Sequence, residues 1–90
     1  MLHDAFLQLG LSTGGAAQLC GVSHRAMRRW RHSPGEAPED VRAIFRILTA
    51  RPDLLAALRD DFRHDAPEAG AYEPQESARR LRWLRARAGE

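Results

Sequence analysis

The chain has 90 residues, which limits it to one small domain with a core of marginal size. Its 14 basic residues, all arginine, face 12 acids, and the resulting net charge of +2 is too small by itself to indicate a partner. The single cysteine, Cys20, excludes an internal disulfide and falls where a packed thiol is expected. No apolar run reaches the length of a membrane span, and the N-terminus lacks the basic-then-apolar pattern of a targeting segment, so we expect a cytoplasmic protein.

The distribution of charge along the chain is more informative than its sum. Residues 14–35 hold four arginines and no acid, and residues 77–90 hold five arginines and one acid. Between them, acids outnumber arginines. Two basic patches of this size suit a polyanionic partner.

The first residues predict a short helix and the start of a second. Residues 1–9 form an amphipathic pattern that Gly10 ends. Ser12 is placed to cap the next helix. Gly14 and Gly15 in its first turn are poor helix formers. Either their backbone approaches a phosphate at the positive end of the helix dipole, or the position simply tolerates small residues.

The stretch from Thr13 to His32 predicts two helices joined by a tight turn at Gly21. Glycine can take the positive φ that such a turn needs, and Ser23 is a natural cap for the second helix. Apolar residues recur at helical spacing on both sides of the turn. They are Ala16, Ala17, Leu19 and Cys20 before it, and Ala26, Met27 and Trp30 after it.

The second of these helices leaves basic side chains on its outer side. Arg25 and Arg29 are four residues apart and share a face, with Arg28 beside them. The planar fork of arginine can donate two hydrogen bonds to guanine in the major groove of DNA. Alternatively, acids from the middle of the chain pair with these arginines in the folded protein. Trp30 is expected to pack in the core rather than to stack on a base.

The same stretch resembles the helix-turn-helix of the phage repressor and Cro-like family of transcription regulators. It carries the small residue of the first helix (Ala17), the turn glycine four residues later (Gly21) and the apolar residue of the second helix (Met27). Ser23 to Leu48 is also similar to small phage and plasmid repressors that control anti-CRISPR operons, and to antitoxin-type regulators. A glycine usually follows the tryptophan by three residues in this family, whereas this chain has Ser33 there. The resemblance implies a compact all-α domain that represses transcription in a bacterial cell and is encoded by a phage or mobile element.

The resemblance also implies which residues meet DNA. The second helix would enter the major groove, and the start of the first would touch phosphate. The expected base-reading residues are Ser23, His24, Arg25, Arg28 and Arg29. Among the expected phosphate contacts, the resemblance implies Thr13, whereas Gly14, Arg31 and His32 are expected from their positions on the two helices. The implied partners are a double-stranded DNA operator and a second copy of the chain, with no cofactor, metal or membrane.

Beyond His32 the pattern predicts two further helices, a linker and a last basic helix. Proline begins the first two, at Pro38 and at Pro52. The helix after Pro38 carries a core stripe of Val41, Ile44, Phe45 and Leu48. We therefore expect an all-α fold of about five short helices plus a basic C-terminal helix. The expected parts are 1–62 as a helix-turn-helix DNA-binding domain, 63–74 as a linker and 75–90 as the basic helix.

The C-terminal helix has three possible roles: a dimer helix, an arm on phosphates, or a frayed tail. Trp83 lies among arginines and is hard to leave exposed, which favours burial against a partner or against the domain. We expect dimerisation through Leu81, Trp83 and Leu84.

The residue patterns argue against an enzyme. The histidines are dispersed, and no glycine-rich nucleotide loop or nucleophile–base pattern is present. The main hypothesis is a sequence-specific repressor, controlling its own operon, that binds an inverted repeat as a homodimer. The alternative is an antitoxin-type protein that neutralises a partner protein through its C-terminal region. A third hypothesis is RNA binding by the arginine-rich helices. The sequence does not show the aromatic stacking surface that is usual in proteins that bind single strands.

Overall fold

Six α-helices and one 3-10 turn form the fold, and the computed structural model describes residues 2–62 and 74–89. The helices are α1 (Leu2–Leu9), α2 (Thr13–Cys20), α3 (His24–His32), α4 (Glu39–Ala50), α5 (Leu54–Phe62) and α6 (Pro74–Ala88), and the 3-10 turn is Pro34–Glu36. The predicted all-α class is confirmed. The linker predicted over 63–74 lies outside the described residues except for its last one. Within the described ranges, no helix is long and apolar enough to cross a membrane.

Local hydrogen bonds set the limits of α2 and α3. The Ser12 hydroxyl accepts a hydrogen bond from the Gly15 N–H at 3.0 Å and starts α2. Gly21 ends that helix in the left-handed conformation, with φ at +70°. The Ser23 hydroxyl then accepts from the Ala26 N–H at 3.1 Å and starts α3. The predicted caps and turn are therefore confirmed.

Residues of all six helices pack into one hydrophobic cluster, and α4 lies at its centre. Phe6 of α1 packs against Phe45 of α4 with ring centroids 5.3 Å apart. The predicted stripe of α4 is buried, and so are Ala43 and Ile47 beside it. This extra burial arises because α6 packs along α4 and covers more of its surface than a single stripe.

The C-terminal helix belongs to this same core, so the predicted dimer surface on it is wrong. Leu81 and Leu84 are only 4% and 0% exposed, because α4 already covers their apolar surface. Trp83 is half-buried within the chain as well. Its indole N–H donates to Asp61 Oδ2 at 2.7 Å, and Phe62 meets its ring edge-on at 6.2 Å. A partner that bound the apolar side of α6 would have to displace this helix from the core.

Candidate nucleic-acid interface

One side of α3 is anchored in the core, and the other side is basic and exposed. Met27 and Trp30 are 0% and 2% exposed and fix the inner side. The outer side carries His24, Arg25, Arg28, Arg29 and His32, all exposed. We call Arg25, Arg28 and Arg29 the arginine face. It lies on a helix that cannot rotate without exposing a tryptophan and a methionine.

The arginine face has no counter-charge among the residues that the structure describes. None of its three guanidinium groups lies within salt-bridge distance of a carboxylate there. Exposed arginines elsewhere do have partners, for example Arg42 with Glu39 at 3.1 Å and Arg51 with Asp53 at 2.9 Å. Acids from the middle of the chain therefore do not neutralise this face within the described ranges. Adjacent like charges without a counter-charge favour an external anion.

The sequence predicts that Ser23 both caps α3 and reads a base. In the structure Ser23 is placed only to cap the helix. It is 4% exposed, and its hydroxyl is engaged by the Ala26 N–H. A hydroxyl that is buried in the turn and already accepting from the helix it caps does not face outward. The prediction that Ser23 reads a base is corrected for this reason.

Two residues that were predicted to contact phosphate are hydrogen-bonded to each other. The Arg31 Nη1 donates to the Thr13 hydroxyl at 2.8 Å, although 18 positions separate the two residues. The same guanidinium lies over the ring of Phe6, 5.1 Å from its centroid. Arg31 thus ties the end of α3 to the start of α2 and to α1. The remaining N–H groups of its fork are still able to donate to a phosphate.

The two glycines at the start of α2 differ in their surroundings. A Cβ on Gly15 would lie 3.3 Å from the Ser12 hydroxyl oxygen and 3.9 Å from Nη2 of Arg59. A Cβ on Gly14 would meet nothing within 4 Å. The folded chain therefore does not require glycine at position 14. Arg59, which the sequence patterns did not single out, brings a second guanidinium to the start of α2, on the side of Gly15.

The turn between α2 and α3 rests on a buried arginine of α6. Arg80 is 0% exposed, and its Nη1 donates to the Glu76 carbonyl oxygen at 3.0 Å and to Glu76 Oε1 at 3.2 Å. Its guanidinium lies over the ring of Phe62, 4.6 Å from the centroid. A Cβ on Gly21 would lie 2.7 Å from Arg80 Cζ. Sequence reasoning missed this contact because it counted Arg80 with the other arginines of residues 77–90 as part of one basic patch.

Two ionisable groups around this arginine have shifted pKa values. Burial is the largest single influence on Glu76 and raises its pKa. The hydrogen bonds and charges of Arg80 and Arg79 together outweigh burial and hold that pKa below its ordinary value. Burial raises the pKa of the Cys20 thiol to about 12, against a smaller opposing effect of the Arg80 charge. Cys20 is 0% exposed, which confirms that it is a packed thiol.

The part of the chain that the structure describes holds no group of three or more metal-ligating side chains.

Known proteins provide no direct guide to this surface. Comparison of the chain with protein-family models, with curated proteins and with solved structures finds no match in any of the three.

Proposed function

We propose that the chain is a sequence-specific DNA-binding repressor that binds an inverted repeat as a homodimer, with α3 in the major groove. The observation that carries this proposal is the arginine face. Three adjacent guanidinium groups are exposed, without a carboxylate partner in the described ranges, on a helix whose other side is buried. Such a face suits an anionic groove that offers acceptors at fixed positions.

The residues on and around α3 are proposed to make two kinds of contact, some with base edges and others with phosphates. Arg25, Arg28 and Arg29 read base edges, since arginine can donate two hydrogen bonds to guanine O6 and N7. His24, exposed at the start of the helix, contacts a base or the backbone beside them. The backbone phosphates lie at the start of α2 and the end of α3. The residues proposed there are Thr13, Gly14, Arg31 and His32, with Arg59 added by its position beside Gly15.

The regulated target is proposed from the resemblance alone. The similarity of Ser23 to Leu48 to repressors of anti-CRISPR operons favours the promoter of the protein's own operon, on a phage or mobile element. With no effector pocket implied by the resemblance, the concentration of the repressor itself would set the degree of repression.

Selection from a random duplex library, followed by fluorescence anisotropy, tests this function. The best selected duplex and a scrambled duplex of the same composition are titrated across a salt series. We expect saturable binding that prefers an inverted repeat, with affinity falling steeply as salt rises because several phosphates are contacted. Equal, weak binding to both duplexes would mean that the arginine face is a general polyanion surface, and would contradict the proposal.

A further inference from the structure

We propose that Arg80 is a positioning residue for DNA reading, which holds the start of α3 in the orientation that lets the arginine face reach base edges. Arg80 lies on α6 and is 0% exposed, so it acts through the turn at Gly21 rather than on DNA itself. The inference rests on the proposed function and deepens it. It names a residue outside the recognition helix that sets how well the protein discriminates between sequences.

The two ends of α3 are held by different parts of the chain. At its end, Arg31 donates a hydrogen bond to the Thr13 hydroxyl of α2. At its start, the turn at Gly21 meets the side chains of Arg80 and Glu76, and both belong to α6. The last helix therefore supports the end of α3 at which the base-reading arginines begin.

The turn at Gly21 and the guanidinium of Arg80 are in close contact. Gly21 has φ at +70°, and a Cβ there would lie 2.7 Å from Arg80 Cζ and 3.0 Å from Glu76 Cβ. The guanidinium lies over the ring of Phe62, 4.6 Å from its centroid. Its Nη1 donates to the carbonyl oxygen of Glu76 at 3.0 Å and to its carboxylate at 3.2 Å. A group fixed in this way determines where the glycine backbone can lie.

Stability alone is a poor explanation for a charged side chain at this position. Among the described residues, Arg80 is the one charged side chain that is buried. Taking a charge out of water is costly, and a well-packed apolar side chain of similar volume often stabilises a fold as well or better. A guanidinium offers what an apolar side chain lacks, namely a planar group that hydrogen bonds hold in one direction. The geometry therefore favours a role in orienting the turn.

The arginine face is close enough to the turn to depend on its orientation. Arg25 follows Gly21 by four positions and Arg28 follows it by seven. A two-bond contact with guanine needs donor–acceptor distances of roughly 2.7–3.2 Å and nearly linear geometry, so a tilt that moves an arginine by about 1 Å would break it. Attraction to phosphates extends over about 8–10 Å and would survive such a tilt. Loss of Arg80 should therefore reduce discrimination between sequences more than general affinity for DNA.

The first test is Arg80→Met, because methionine is similar in length but has no charge and no planar group. Glu76 keeps its ion pair with Arg79 at 3.0 Å, so no isolated carboxylate is left and we expect the variant to fold. The measurement is the ratio of affinities for the selected and scrambled duplexes, by fluorescence anisotropy. We expect the ratio to fall about fivefold or more, as when a two-bond contact is lost, with affinity for the scrambled duplex within about twofold of the wild type.

Two controls on α6 separate positioning from a general loss of stability. Leu84→Ala truncates a side chain that is 0% exposed, one helical turn beyond Arg80, and Arg82→Met makes the same chemical change at an exposed site. Circular dichroism gives the folded fraction of each protein, and affinities are referred to the folded protein. We expect both controls to keep the ratio of the wild type. A Leu84→Ala protein that loses discrimination as Arg80→Met does would overturn the proposal, because packing of α6 alone would then explain the effect.

The second test reads the position of α3 without DNA. Backbone amide chemical shifts of residues 24–29 should differ from the wild type in Arg80→Met and match it in Arg82→Met. If Arg80→Met does not fold, Arg80→Lys replaces it in both tests with the same expected results, since lysine keeps the charge but lacks the planar group. Unchanged amide shifts in the folded Arg80 variant would overturn the proposal.

The affinity ratios also separate this inference from the proposed function. If the wild type prefers the selected duplex and the folded Arg80→Met protein prefers it equally, the positioning role fails while the DNA-reading function stands. If the wild type does not distinguish the two duplexes, the proposed function fails and the inference fails with it.

Discussion

The buried guanidinium of Arg80 lies against the backbone of Gly21, so the last helix supports the turn that orients α3. A Cβ at position 21 would come within 2.7 Å of Arg80 Cζ. The carboxylate and carbonyl of Glu76 and the ring of Phe62 hold the guanidinium in place. The proposed DNA-binding surface on α3 therefore depends on α6. This helix is distant in sequence and contributes no residue to the arginine face. Deleting α6 would disturb the turn as well as the core.

Replacing Gly21 tests this contact. Gly21→Ala would require an alanine at φ +70° and would push its methyl group into Arg80. We expect the free energy of unfolding to fall by about 2 kcal/mol or more, because the left-handed conformation and the overlap both cost energy. Urea denaturation measures the change. Gly14→Ala is the control; its Cβ meets nothing, and we expect stabilisation of up to about 1 kcal/mol. A Gly21→Ala protein as stable as the wild type would contradict the described turn.

The charge of Glu76 should make stability depend on pH. Because its pKa is lowered in the folded state, its carboxylate stabilises the fold fully above the ordinary value of 4.5. This contribution is lost as the pH falls through the lowered pKa. We expect Glu76→Gln to cost about 1–3 kcal/mol at neutral pH, because the buried guanidinium of Arg80 loses its ion pair with Glu76. The difference from the wild type should shrink in strong acid.

A matched substitution separates this effect from the general loss of an ion pair. Glu39→Gln removes the partner of Arg42 at the surface, where both side chains are exposed. We expect no change in stability beyond about 0.5 kcal/mol at any pH, because exposed ion pairs contribute little. Equal effects of the two glutamine substitutions would mean that the Glu76 pair is no more than a surface pair.

The bond between Thr13 and Arg31 should be measurable as a coupling energy. Thr13→Val, Arg31→Ala and the double variant form a double-mutant cycle around the 2.8 Å hydrogen bond. We expect a coupling of about 0.5–1.5 kcal/mol in the free energy of unfolding. Because the Arg31 side chain also contacts Phe6, Arg31→Ala should cost more than Thr13→Val. A coupling near zero would show that the two residues act independently.

The elements that the sequence predicted well depend on short-range chemistry. The caps at Ser12 and Ser23 and the turn at Gly21 each join residues no more than four positions apart, so the local pattern was enough. The start of α5 was placed two residues early, at Pro52 instead of Leu54. Proline suits a first helical residue, but here the Arg51 side chain closes a turn with Asp53 through hydrogen bonds of 3.0 and 2.9 Å before the helix begins.

What the sequence could not predict depends on contacts between distant helices. Periodicity treats arginine as solvent-facing, and so it missed the burial of Arg80 beneath the turn. The same reasoning assigned Leu81 and Leu84 to a contact with a second copy. It could not show that α6 packs against α4 within the same chain and buries these two side chains there. The Thr13–Arg31 bond was missed because each residue was assigned to phosphate separately.

The central claim, that the arginine face reads base edges, is tested most directly by Arg28→Lys. Lysine keeps the charge but loses the planar fork that donates two hydrogen bonds to guanine. The measurement is the ratio of affinities for the selected and scrambled duplexes, with Arg42→Lys as the control outside the face. We predict that Arg28→Lys lowers this ratio by roughly 5- to 150-fold and leaves binding to the scrambled duplex and its salt dependence almost unchanged. An unchanged ratio, with the control equal to the wild type, would contradict the assignment of Arg28 to base reading.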